Sequence, residues 1–280
     1  AVSDFFFFFK IKMVAPFSGS YDEVYNNPML FLTSTVDSLA TDKMAKYLIE
    51  KSANSKLALV KSAAGSVPEA NMQNALRKYQ ALIGTKLNVE FSEMVFSRTS
   101  PTGISAQLSR DKNNIVVVPS ESEVFVGQVL IGLDAIAERN QYPLEVYGMA
   151  EWLKFQTVDP ESFHRMNGRL FTNHAFDYES AVTKQFITEF RALYSSEPVA
   201  FTPLFQPNVA GSAYNRYGAL GYDLSSFFVG ALVGYGKSFE TCLSRMESSN
   251  LIQSEFNFNR ISNWGGFYNS GLFELQFNKD

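Results

Sequence analysis

Residues Ile115–Val118 read Ile-Val-Val-Val and are closed by Pro119. A β-branched run with no polar alternation belongs to a strand covered on both faces, and Val126, Val129, Leu130, Leu133 and Ile136 then follow at helical spacing. This pairing of short apolar run and helical stripe recurs along the chain. Ile11–Ala15, stopped by Pro16, leads into a Ser-, Gly-, Asn- and Pro-rich loop over 18–28. A helical face of Val36, Leu39, Met44, Tyr47 and Leu48 comes next. Leu57–Val60 precedes the loop Ser62–Val67. Pro68 then opens a helix carrying Met72, Leu76, Tyr79 and Ile83, with Gly84 at its end. Leu87–Phe91 and Leu144–Tyr147 are further strands. Val182, Phe186, Phe190 and Leu193 mark a helix ending at Tyr194, and Ala219–Tyr222 leads into a helix over Leu224–Val233. Phe256–Phe277 has no helical period and two strand-like pieces. Strands alternating with helices imply crossover connections, a parallel sheet and an α/β fold.

Charge and residue usage narrow the function classes. Lys plus Arg number 24 against 28 Asp plus Glu, a net charge of −4, which gives no electrostatic ground for binding a nucleic acid. The single cysteine, Cys242, excludes a disulfide framework and a cysteine zinc site, and reads as structural. His164 and His174 have no neighbouring ligand cluster and read as surface or interlobe histidines, so no metal and no cofactor is expected. No apolar run approaches the ~18 residues of a membrane span. The five phenylalanines Phe5–Phe9 follow Asp4 and precede Lys10 and Lys12, the reverse of a secretory signal, and carry no assigned function. That reversal does not imply a cytoplasmic location, because upstream sequence is expected.

Signatures of catalysis are missing. The chain has no Gly-x-Gly-x-x-Gly turn, no phosphate loop and no Gly-x-Ser-x-Gly elbow, and the carboxylates Glu121 and Glu123 read as a solvated loop pair. An enzyme is therefore not expected. Polar loops remain at the carboxyl ends of the expected strands: Ser18 and Ser20, Ser62–Ser66, Ser120–Glu123, and Met149–Trp152. Open α/β sheets take ligands beyond those strand ends. Hydroxyls, a carboxylate and helix N-termini suit a small zwitterion or polar solute, although Ser and Glu are equally expected there as helix caps.

The order of several segments resembles type I periplasmic binding proteins of the Leu/Ile/Val-binding kind. They are MVAPFSGSYDEVYNNPMLFLTS (Met13–Ser34), IVVVPS (Ile115–Ser120), VYGMAEW (Val146–Trp152), LYSSEP (Leu193–Pro198) and GYDLSSFF (Gly221–Phe228). RISNWGGFYN (Arg260–Asn269) resembles a branch in Bacteroidetes cell-envelope proteins where such a domain follows LysM repeats. The likeness runs from Lys10 to the end.

This resemblance implies two Rossmann-like α/β lobes with parallel sheets joined by a hinge. Residues 1–40 and 170–248 would form the remainder of an incomplete N-terminal lobe, 41–169 the C-terminal lobe, and 249–280 hinge-proximal strands. It implies a non-enzymatic solute-binding module of the periplasm or cell envelope, with an amino acid or similar small polar ligand as partner. A lipid anchor and contacts to peptidoglycan or envelope proteins would come through upstream sequence. In amino-acid-binding members a Ser/Thr pair of one lobe holds the ligand carboxylate, which Ser18 and Ser20 match. An acid after a Gly-ended strand holds the amine, which Glu151 matches, with Trp152 as an apolar wall. Ser120 and Glu121 lie on the adjoining loop. The chain departs at Ala64-Gly65, where members often carry Tyr-Gly, and this puts branched-chain specificity in doubt. The alternative is an envelope scaffold that keeps the fold without solute capture.

Overall fold

The structure, a computed structural model, describes residues 5, 7–16, 22–33, 37–96, 102–138, 142–198, 217–246 and 251–278. Its strands are β1 Met13–Ala15, β2 Leu30–Leu32, β3 Lys56–Lys61, β4 Glu90–Val95, β5 Asn114–Val117, β6 Leu144–Met149, β7 Gly168–Thr172, β8 Phe258–Arg260, β9 Phe267–Asn269 and β10 Phe273–Gln276. The helices are α1 Asp37–Lys51, α2 Val67–Tyr79, α3 Thr102–Ala106, α4 Glu123–Glu138, α5 Pro160–Arg165, α6 Ala181–Tyr194 and α7 Gly218–Tyr235. Two compact units result, one of Ala1–Leu39 with Asn173–Phe273 and one of Ala40–Thr172 with Glu274–Asp280.

The second unit is built on a six-stranded sheet in the order β10-β7-β6-β5-β3-β4, with β3 to β7 all paired in parallel. The chain steps from β3 outward to β4, then returns to the other side of β3 to lay down β5, β6 and β7. This reversal puts α4 on one face, where Val126, Val129, Leu130 and Leu133 pack on Ala58, Val60, Val116, Val118 and Val146. On the opposite face Leu57, Leu59, Ile115, Val117 and Tyr147 are buried. There Met44 and Leu48 of α1, Met72 of α2, Val117 and Phe171 leave a void of only about 10 Å³, too small for a solute. Burial on both faces is why these strands are apolar throughout rather than alternating.

In the first unit the sheet order is β1-β2-β9-β8, with β1, β2 and β9 parallel and β8 antiparallel to β9. Among the described residues β1 pairs only with β2. Much of the unit's core is aromatic. Phe31 stacks on Phe267 with ring centroids 4.5 Å apart and meets Phe228 and Phe258 edge-on. Phe227, Phe239 and Phe256 complete the cluster. By contrast Phe5, Phe7, Phe8 and Phe9 are all exposed.

Three elements depart from the sequence reading. β4 lies at Glu90–Val95 rather than at 87–91. β7 carries Arg169, a charge that hides a strand. The last helix starts at Gly218, before the expected Leu224. A Cβ at Gly218 would press on the Phe190 ring, so glycine here lets two helices approach and does not break one. His174 is also not a surface group. It is largely buried beside an isolated β-bridge to Ser254, and burial lowers its pKa to about 4.

Candidate functional site

The reversal between β3 and β5 defines a topological switch point, and three loops of the second unit lie at the carboxyl ends of β3, β5 and β6. The β3–α2 loop is folded around a carboxylate that the sequence reading did not single out. Glu69, 1% exposed, accepts from the Ser62 N–H at 3.1 Å and from the Ser62 hydroxyl at 3.0 Å. Ser66 caps α2 by accepting from the Glu69 N–H at 3.3 Å. The signal for it was present as Ser66-x-x-Glu69, a capping box whose acid here reaches further back into the loop.

After β5, Ser120 is buried. Its carbonyl accepts from Trp152 Nε1 at 2.9 Å, and its hydroxyl accepts from the Ser122 N–H at 3.4 Å. Glu121 beside it is exposed. Glu123 is already engaged. It accepts from the Thr157 hydroxyl and the Thr157 and Gln156 N–H groups at 2.7–2.8 Å, and these donors hold its carboxyl below the usual range. It anchors the 156–157 loop, so Glu121 and Glu123 do not form an acid–base pair.

After β6 the chain enters a 3₁₀ turn, Ala150–Lys154. A Cβ at Gly148 would collide with the Trp152 ring. The missing side chain thus lets the indole fold under the strand end. Trp152 is 1% exposed and stacks on Phe163, so no face of it is open as a ligand wall, contrary to the expectation. Its role in the structure is to tie the β6 end to Ser120. Glu151 stands differently. It is half-buried, and among the described residues its carboxylate makes no hydrogen bond or ion pair. Ser18 and Ser20 lie outside the described residues.

A dense charge cluster of the second unit lies deeper in the sheet. Glu274 of β10 accepts from Tyr47 at 2.7 Å and Tyr147 at 3.1 Å, and pairs with Arg169 at 3.1 Å and Lys51 at 3.5 Å. Glu145 pairs with the same Arg169 and Lys51. Every charge there has an internal counterpart, which marks the cluster as structural. A concavity of about 400 Å³ runs along α4 past Val124, Gly127, Ile131 and Val158, and its carboxylates Asp134 and Asp159 are both held by Arg165. Among the described residues no group of three His, Cys, Asp or Glu is placed to hold a metal ion. No helix is long and apolar enough to cross a membrane.

No family model matches the chain, and no curated protein matches it. Solved structures do. A branched-chain amino acid ABC transporter periplasmic ligand-binding protein from Burkholderia xenovorans LB400 superposes with a TM-score of 0.55 at 12% identity, covering 99% of this chain and 68% of that one. An ABC transporter substrate-binding protein from Desulfitobacterium hafniense, in complex with Leu, gives 0.54 at 12% identity, covering 98% and 73%. A second structure described as that organism's ABC transporter substrate-binding protein gives 0.52 at 13% identity.

Proposed function

With the fold that of type I periplasmic binding proteins, we propose that the chain is a non-enzymatic solute-binding module for an amino acid or similar small polar ligand. In this reading the two units are its lobes and the periplasm or cell envelope its location. The observation that carries the reading is Glu151. A half-buried carboxylate that makes no hydrogen bond or ion pair among the described residues, at the carboxyl end of a central strand beside a topological switch point, is suited to an ammonium group. Ser120 and Glu121 stand on the adjoining loop, and Trp152 fixes the two loops to each other. Ser18 and Ser20 are proposed to hold the ligand's carboxylate.

Calorimetry against a panel of amino acids tests this. A charge-assisted contact contributes roughly 1.5–3 kcal/mol, so Glu151→Gln should weaken binding about tenfold or more. Binding of no panel member by the wild type would sink the solute-binding reading. Equal binding by both proteins would remove Glu151 from the site.

A further inference from the structure

We propose that the outer face of α4 docks a positively charged amphipathic helix of another protein, seated in the groove between α4 and Val158. The proposal does not depend on the solute-binding reading.

A helix on a sheet normally buries one stripe and turns charged residues outward. α2 does so, with Met72 and Leu76 buried and Arg77 and Lys78 exposed. α4 does not. From Val124 to Leu133 it has no charged residue, and Gln128 is its only polar side chain. Val126, Val129, Leu130 and Leu133 already fill the face toward the sheet. Yet Val124 and Ile131, on the other side, are 72% and 74% exposed. A helix that is apolar on both faces is suited to be covered on both.

Val124 and Ile131 stand two turns apart, about 10 Å along the axis. Gly127 lies between them, where a Cβ would already touch Val158 at 3.9 Å. Without a side chain there, the concavity of about 400 Å³ stays open. Apolar residues two turns apart beside an open hollow match the i, i+3/i+4 and i+7 anchors of a helix laid in a groove.

Charge decides which kind of helix fits. The groove is lined by Glu123 at the start of α4, by Asp134 near its end, and by Asp159. Among the described residues no lysine or arginine lines it. Arg165 is a single charge shared by Asp134 and Asp159, and the groups that hold Glu123 are a hydroxyl and two backbone N–H groups. The rim is therefore net negative. A second copy of this chain would bring Glu123 or Asp134 against the same acids, and an anionic membrane surface would be repelled. A helix with lysine or arginine beside its apolar stripe meets neither cost, and its charges face the rim.

Two synthetic helices of about four turns, with one leucine stripe and either lysine or glutamate elsewhere, test this by fluorescence anisotropy. The lysine peptide should bind and shift the Gly127, Ile131 and Val158 amide resonances. The glutamate peptide should bind at least about tenfold more weakly. Raising salt from about 50 to about 500 mM should weaken the lysine peptide about fivefold or more. Combining Val124→Ser with Ile131→Ser should weaken it about tenfold or more, and both side chains are exposed enough to spare the fold. The peptide comparison on the wild type stands even where that variant fails to fold. No binding of the lysine peptide, equal affinity for the two peptides, or undiminished binding by the folded variant would overturn the proposal. So would a wild-type dimer in sedimentation, or binding to phosphatidylglycerol vesicles, that the variant loses, since the face would then serve a second copy or a membrane.

Discussion

Asp223 and His174 secure one short stretch of the first unit by opposite electrostatic means. Asp223 is fully buried on α7 and accepts from the backbone N–H groups of Ile252, Gln253 and Ser254 at 2.7, 3.0 and 2.8 Å. Burial pushes its carboxyl up, and the three amides oppose that without cancelling it. Asp223→Ala would orphan three buried donors and should cost about 3 kcal/mol or more. Asp223→Asn keeps one acceptor but turns an N–H₂ toward a donor, for a loss of about 1–2 kcal/mol; urea unfolding reads both. His174 bridges to the same stretch and is held neutral by burial, with its pKa lowered from 6.5 to about 4. A depressed histidine contributes stability that is present above its unfolded pKa and lost as pH falls toward the folded one. The first unit should lose about 2 kcal/mol between pH 7.5 and 5, and His174→Gln should flatten that slope.

Among the elements, β10 is held by side chains as much as by its ladder. Burial, then the hydrogen bond and charge of Glu274, push the Tyr47 phenol up to about 12. Tyr147 is raised as well, with burial the largest cause. For a raised phenol the contribution is full below pH 10 and lost as pH climbs through 12. In Glu274→Gln the Tyr47 titration, followed by phenolate absorbance, should move down toward 10, with a loss of about 1–3 kcal/mol at neutral pH. An unchanged midpoint would show that burial alone holds the phenol. The neighbouring β7 shows where sequence reading stops. β3, β5 and β6 were legible because sheet and helices bury both their faces. β7 was not, because its Arg169 meets Glu274 only in the folded sheet. At the candidate site, Glu151 and Gly148 could be placed from sequence, but the direction of the Trp152 ring and the reach of Glu69 into Ser62 are tertiary facts.

For the molecule as a whole, the chain passes from one unit to the other after Leu39, after Thr172 and again after Phe273. Its last residues therefore finish a unit made mostly from its middle. Deleting 274–280 removes Glu274 and also Phe277, whose ring packs on Phe163 and whose N–H donates to Gly168 O. The truncation should cost the second unit more than Glu274→Gln does, about 4 kcal/mol or more, read from the fluorescence of core Trp152 during urea unfolding. The first unit has the opposite problem in time. Asn269 reaches back 236 residues to the Thr33 carbonyl, beside the pairing of β2 with β9. At roughly 5–20 residues per second, a ribosome needs roughly 10–50 s between making β2 and making its partner. Throughout that interval Phe31 and an apolar strand edge stay uncovered on the nascent chain, while 40–172 already carry five of the six strands of their own sheet. A chaperone that shelters β2 should therefore raise the yield of folded protein.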